Sequence, residues 1–292
     1  MSSDTTLPSI AFIGLGIMGG AMAGHLQAAG HPLHLNSRTR AKAEGLIAGG
    51  GIWHDDAGSA AAAADIVITM VSMPADVEAV YLAPDGIVAR ARPGSVLIDM
   101  TTSTPSLAIR IAEAAASRGI AALDAPVSGG PQGAQAAKLS IMVGGDTAAY
   151  ERVLPVFQRM GTNINLQGGP GAGQHCKMSN QVVIAGTILG VAEGLAYAKR
   201  AGLDPSRVLQ SIATGAAGSF QLTINGAAML KGDFAPGFMI EHFVKDMAIA
   251  AAESEANGLA LPVLQVALEK FRKLMAAGEA RSGTQAIGKA YF

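Results

Sequence analysis

The sequence predicts an α/β fold in two parts. A doubly wound, mostly parallel sheet runs to about residue 168, and an all-α domain that begins with a long interdomain helix fills 169–292. Three observations lead there. Short β-rich runs alternate with helix-compatible segments through the first half, the pattern of parallel βαβ units with helices on both faces. A strand, a Gly-x-Gly-x-x-Gly and a helix follow one another at the N-terminus. Beyond Gly168-Gly169-Pro170-Gly171 the β-rich runs stop and only helical patterns remain.

Taken in order, the strand candidates are residues 10–13, 33–35, 66–70, 96–99 and 121–124, all rich in Ile, Val, Leu and Ala. Helical patterns lie between them near 18–29, 40–49, 57–64, 75–82 and 105–118. Further strands are expected at 140–143 and 163–166, around a helix over 148–159. The second part opens with a helix from about 174 to 201, ended by Gly202 in the manner of a C-cap. Asp204-Pro205 then restarts a helix, Asp as N-cap and Pro in the first turn. Glycines and prolines near 215–218, 231–237, 258–262 and 278 punctuate the rest.

Composition narrows the function. Half of the 292 residues are hydrophobic, 15% are charged and the net charge is −1. There is no basic stripe for a nucleic acid and no polybasic cue for a membrane surface. The apolar stretches are broken before the ~20 residues that a bilayer span needs. Met1-Ser2-Ser3-Asp4-Thr5-Thr6 lacks the basic start of a secretory signal. A single cysteine, Cys176, excludes an internal disulfide framework and suits a reducing compartment, so a cytoplasmic location is expected. The six histidines show no metal-ligand spacing, so no metal is expected.

The N-terminal pattern is Gly14-Leu15-Gly16-Ile17-Met18-Gly19, directly after an apolar strand. In a Rossmann-type unit Gly14 makes the tight turn, Gly16 admits a pyrophosphate to the backbone, and Gly19 lets helix and strand close up. The phosphates then sit at a helix N-terminus, where N–H groups and the macrodipole favour anions. An NAD site usually carries an acid at the end of the second strand. Here Asn36-Ser37-Arg38-Thr39-Arg40 offers none. Ser37 can bond a 2′-phosphate and Arg38 can pair with it while stacking on adenine, which favours NADP over NAD. A polar surface turn is the bland alternative.

Ligands in such sheets bind beyond the C-terminal ends of the strands. Val71-Ser72-Met73-Pro74 and Met100-Thr101-Thr102-Ser103 follow two strands and should line the nicotinamide. Ser128-Gly129-Gly130 follows another, with a hydroxyl and exposed N–H groups suited to a carboxylate. Lys177 opens the long helix just after Gly171 and Gly173, glycines expected to bring the helix start near the cofactor. Asn180 and Gln181 follow at i+3 and i+4 on one face. Delivery of hydride to a carbonyl carbon leaves charge on oxygen, and a lysine ammonium can protonate it. The alternative is a lysine whose stem snorkels over apolar neighbours. Which of Asn180 and Gln181 orients the substrate stays open.

Together these segments, with Phe238-Met239-Ile240-Glu241-His242-Phe243-Val244-Lys245-Asp246, resemble in order the β-hydroxyacid dehydrogenase family, which includes 3-hydroxyisobutyrate dehydrogenase and tartronate semialdehyde reductase. The resemblance covers nearly the whole chain. It implies that Lys177 is the acid/base, that Ser128, Gly129 and Gly130 hold a substrate carboxylate, that Thr102 contacts the nicotinamide ribose, and that Lys245 approaches the cofactor when the domains close. The family often has Asn four residues after the lysine; here that position is Gln181, with Asn180 one residue earlier, and Lys177-Met178-Ser179-Asn180-Gln181 is closer to the tartronate semialdehyde reductase version. Ala136-Ala137-Lys138-Leu139 departs from a turn that commonly contains glycine. The expected partner is a small carboxylate-bearing aldehyde or hydroxy acid. The apolar long helix points to a homodimer or homotetramer. Imine reduction on the same scaffold and a non-catalytic dinucleotide reader are the competing readings.

Overall fold

The computed structural model describes residues 7–292; Met1–Thr6, read above for a secretory signal, lies outside the described residues. The chain forms two compact units that divide between Lys177 and Met178. This dividing point lies within the long helix.

The first unit is built on a nine-stranded sheet. Strands β1 (Ile10–Ile13), β2 (Leu33–Asn36), β3 (Ile52–Trp53), β4 (Ile66–Thr69), β5 (Val96–Asp99) and β6 (Ala121–Asp124) are parallel, in the order β3-β2-β1-β4-β5-β6. The edge beyond β6 is mixed. There β7 (Val127–Ser128) pairs antiparallel with β8 (Leu139–Gly144), β8 is antiparallel to β6, and β9 (Gly161–Gly168) is parallel to β8. Strand order reverses between β1 and β4, the switch point at which such sheets open a crevice.

The helices follow the alternation that the sequence sets out: α1 (Ile17–Ala28), α2 (Glu44–Ala48), α3 (Ala57–Ala62), α4 (Pro74–Leu82), α5 (Ile87–Arg90), α6 (Pro105–Ala116), α7 (Gly130–Gln135) and α8 (Thr147–Phe157). Side chains of successive strand residues point to opposite faces, so each strand feeds two cores. Ile10, Phe12, Ile66 and Ile98 pack with Met22 and Leu26 of α1 and Phe157 of α8. Ala11, Ile13, Val67 and Leu97 pack with Val77 and Tyr81 of α4 and with Leu107 and Ile111 of α6. Local caps start several helices: Asp56 accepts from Ser59 N at 2.6 Å, Thr104 from Leu107 N at 3.2 Å, and Asp146 from Ala149 N at 2.9 Å.

Ala137 has φ +53, the single non-glycine residue in the left-handed region among those described. The turn before β8 thus keeps the backbone shape that a glycine would adopt freely, and an alanine bears the steric cost.

The long helix α9 (Ala172–Arg200) runs from the first unit into the second. It alone among the described residues is long and apolar enough to cross a bilayer, with a mean hydropathy of 1.5 over its most apolar window. Its inward positions Ala185, Ile188, Ala192 and Leu195 instead form the core of the second unit. The remaining helices are α10 (Pro205–Ile212), α11 (Ala227–Lys231), α12 (Ile240–Ala256) and α13 (Pro262–Leu274). Phe243 of α12 meets Phe271 of α13 edge-on at 5.0 Å between ring centroids. Gly202 takes φ +77 after α9, and Asp204 caps α10 by accepting from Ser206 N at 2.9 Å.

Candidate active site

The glycine pattern lies where strand order reverses. Gly14 has φ +94, donates its N–H to Asn36 O at 2.9 Å, and sits so close to β4 that a Cβ there would collide with Met70 O. A Cβ on Gly19 would collide with Gly14 O. The fold itself therefore demands these two glycines. Gly16 differs, because a Cβ there would meet nothing within 4 Å. Ile17 beside it is 60% exposed in the first turn of α1, an apolar side chain with little protein cover. The start of α1 has no side-chain cap and no acid in its first turn. Orphan N–H groups, a glycine the chain does not need for itself and an uncovered isoleucine fit the pyrophosphate and adjoining face of a dinucleotide.

At the end of β2 the predicted residues divide. Ser37 Oγ accepts from Leu15 N at 3.3 Å and so supports the glycine turn, with its own proton left to give. Asn36 donates its side-chain amide to His54 O at 2.9 Å and braces the start of the loop after β3. Arg38 is 81% exposed, 3.8 Å from Asp76. Thr39 begins a short 3-10 turn over Arg40–Ala43.

Met73 and Pro74 open α4, where Met73 N donates to Asp76 Oδ2 at 3.0 Å. Thr102 follows β5 between two residues held by one side chain. Gln174 Nε2 donates to Thr101 O at 2.8 Å, and Gln174 Oε1 accepts from Ser103 N at 2.9 Å. Ser128 ends β7, while Gly129 at φ +128 and Gly130 at φ +63 supply the turn into α7.

Lys177 is 7% exposed and donates to Val127 O at 2.8 Å, so its amine is anchored beside the Ser128 segment. Further along α9, in the second unit, Asn180 donates to Gln181 Oε1 at 2.7 Å and Gln181 donates to Asp246 Oδ2 at 2.6 Å. Lys245 Nζ is 3.1 Å from Asp246 Oδ1. Burial pushes the Cys176 thiol pKa up and the His242 imidazole pKa down, the latter with help from Lys245. Among the described residues no three His, Cys, Asp or Glu cluster as a metal site would require.

Beneath these loops lies a buried polar layer that sequence reasoning missed. Asp124 accepts Gly171 N at 2.7 Å and Gln174 N at 2.8 Å, capping α9 from the end of β6. A Cβ on Gly173 would meet Asp124 O at 2.6 Å, so this glycine is required by the packing around Asp124 rather than by an approach to a cofactor. On the neighbouring strand Asp99 Oδ1 accepts from Thr69 Oγ1 at 2.7 Å and from Thr101 N at 3.1 Å, and Thr69 Oγ1 meets Tyr81 OH at 3.0 Å. Burial raises the Asp124 pKa although the Gly171 and Gln174 amides pull it back. Burial also raises that of Asp99 to about 6, against the hydrogen bonds from Thr69 and Thr101.

A raised carboxyl pKa means that the folded chain binds the extra proton between about pH 4 and 6. Stability then falls as pH rises through that window, by ~3 kcal/mol at 1.36 kcal/mol per pKa unit. Asp99→Asn is therefore expected to melt higher than the parent chain at pH 7.5 and to lose that advantage at pH 4. Thermal unfolding at the two pH values checks this, and an offset that does not change with pH would refute it.

Residues 9–169 match the family model described as the NAD binding domain of 6-phosphogluconate dehydrogenase. Residues 171–291 match the one described as NAD-binding of NADP-dependent 3-hydroxyisobutyrate dehydrogenase. The uncharacterized oxidoreductase YkwC of Bacillus subtilis is 52% identical over 96% of this chain and 98% of its own. The chain belongs to the β-hydroxyacid dehydrogenase family. The 2-hydroxy-3-oxopropionate reductase of Escherichia coli is 40% identical, covering 96% of both chains. A 3-hydroxyisobutyrate dehydrogenase from Mycobacterium tuberculosis, solved with L-serine, matches at TM-score 0.88 and 33% identity over 97% of this chain and 99% of that one. As a β-hydroxyacid dehydrogenase the protein is an NAD(P)-dependent oxidoreductase acting on hydroxyl groups, with a Rossmann-type first domain and a helical second one.

Proposed function

We propose that this β-hydroxyacid dehydrogenase is an NADP(H)-dependent reductase of a small semialdehyde carboxylate, tartronate semialdehyde or a close analogue, to its hydroxy acid. The observation that carries the reading is the buried amine of Lys177, anchored on Val127 O next to Ser128. An ammonium is expensive to bury, and a chain that keeps one at a loop suited to carboxylates uses it for chemistry. The nicotinamide, when bound, supplies the hydride. Lys177 gives a proton to the carbonyl oxygen as charge develops there, and takes it back in the reverse direction. Ser128 and the N–H groups of Gly129 and Gly130 hold the carboxylate. Asn180 and Gln181 follow on the same face of α9, where Gln181 is tied at one end to Asp246 and at the other to Asn180. Reduction of an imine has no need of an amine donor at this place.

Support for the cofactor with a 2′-phosphate comes from Ser37 and the exposed Arg38 where NAD sites carry an acid, and from the NADP-dependent enzyme in the description of the second family model. A steady-state screen of tartronate, succinic and methylmalonate semialdehydes with NADPH and NADH tests both parts. Tartronate semialdehyde with NADPH should give the highest kcat/KM, and Arg38→Asp should move the preference toward NADH. A parent enzyme that already prefers NADH, or that reduces none of these aldehydes, would overturn the assignment.

A further inference from the structure

We propose that Gln174 is a positioning residue that fixes the loop around Thr102 against the proton donor Lys177; this rests on the reading of Lys177 and Thr102 given above. The Gln174 side chain is completely buried, yet both ends of its amide are used. Its Nε2 donates to Thr101 O and its Oε1 accepts from Ser103 N, at 2.8 and 2.9 Å, so it grips the backbone on both sides of Thr102. Its own backbone N–H donates to Asp124 Oδ2 at 2.8 Å, which fixes the first turn of α9 to the end of β6. Lys177 lies three residues further along the same helix, a little under one turn, and reaches Val127 O.

The far side of the link is equally constrained. Thr101 Oγ1 accepts from Val71 N at 3.0 Å, and Thr101 N donates to Asp99 Oδ1 at 3.1 Å. One amide thus connects the loops after β4 and β5 to the helix that carries the lysine, entirely within the first unit. Reduction of a carbonyl delivers hydride to carbon and a proton to the adjacent oxygen. The two sources must be held within about half an ångström of the productive arrangement, because small displacements cost large factors in rate. A carboxamide meets the requirement because it presents a donor and an acceptor side by side. A hydrocarbon presents neither, and an ionised carboxylate lacks the donor.

Gln174→Leu and Gln174→Glu, assayed beside the parent chain and Lys177→Met on the best aldehyde with NADPH, provide the test. Gln174→Leu should lower kcat ~10- to 100-fold while the KM for NADPH changes less than about 2-fold. In Gln174→Glu the neutral carboxyl can donate to Thr101 O and accept from Ser103 N. With Asp124 at its backbone and Asp99 beyond Thr101, ionisation removes that pattern. Its kcat, taken as a ratio to that of the parent at the same pH, should therefore recover as pH falls, and recovery within one sample shows that the fold is intact. A parent-like kcat in Gln174→Leu, equal losses in kcat and NADPH affinity, or a Gln174→Glu profile that parallels the parent would overturn the proposal. If Lys177→Met keeps its turnover, the reading of the lysine fails instead, whatever the Gln174 variants do.

Discussion

Replacement of Lys177 by Met is expected to lower kcat by ~10²-fold or more, the usual scale for loss of a positioned general acid, and to leave NADPH affinity unchanged. The separation follows from where the lysine sits. Its amine is anchored on Val127 O, whereas the cofactor reading rests on Gly14, Gly16, Ile17 and Ser37 near the switch point. Methionine keeps the length and flexibility of the stem, so the cavity remains filled. It also removes the desolvation cost of a buried ammonium but leaves Val127 O without that donor, so the melting temperature should stay close to that of the parent. Lys177→Arg sharpens the result. Arginine keeps the positive charge but does not release a proton near neutral pH, so it should be as inactive as methionine. Stopped-flow or steady-state kinetics with fluorescence titration of NADPH decides the matter. Full turnover in Lys177→Met would remove the lysine from the mechanism, and turnover in Lys177→Arg would reduce its role to charge alone.

The sequence made the outline of this enzyme legible because its signals are local. Alternating apolar runs, the glycine pattern after 10–13 and the Asp204-Pro205 start each depend on neighbours a few residues away, and the corresponding strands and helices are present. What could not be read depends on distant partners. Strands β3 and β7 have only two residues each, too few for a periodic pattern, and exist through pairing with β2 and β8. The antiparallel turn at β8 is likewise a matter of topology rather than composition. Asp99 and Asp124 end their strands in adjacent register, and as sequence they are unremarkable acids after apolar runs. Gln174 reads as one more polar residue in a helix until its two partners, 71 and 73 residues earlier, come into place. Gly173 misleads for the same reason: a glycine near a candidate site suggests ligand approach, and only the folded chain places Asp124 against it.

Asp124→Ala is expected to destabilise the chain more than any other single truncation near the site. A helix begins with N–H groups that have no partner within it, and usually the N-cap side chain takes one of them. At the start of α9 that position is Gly171, with φ +86 and no side chain, so the acceptor comes instead from a strand end 47 residues earlier. The Asp124 carboxylate satisfies two buried N–H groups at once and places negative charge at the positive end of the helix. Alanine leaves both donors unsatisfied, at ~1–3 kcal/mol each. For a chain of this size that is a fall in Tm on the order of 10 °C. Asparagine keeps one acceptor but turns an N–H toward the other donor, so Asp124→Asn should fall between the two. Catalysis should suffer as well, because the turn that loosens carries Gln174 and leads to Lys177. A graded loss of Tm in the order parent, Asn, Ala, with kcat falling in the same order, is the expected outcome of calorimetry and kinetics on the three proteins. An Ala variant that melts with the parent would mean that the amides of Gly171 and Gln174 find other acceptors, and that the start of α9 does not depend on Asp124.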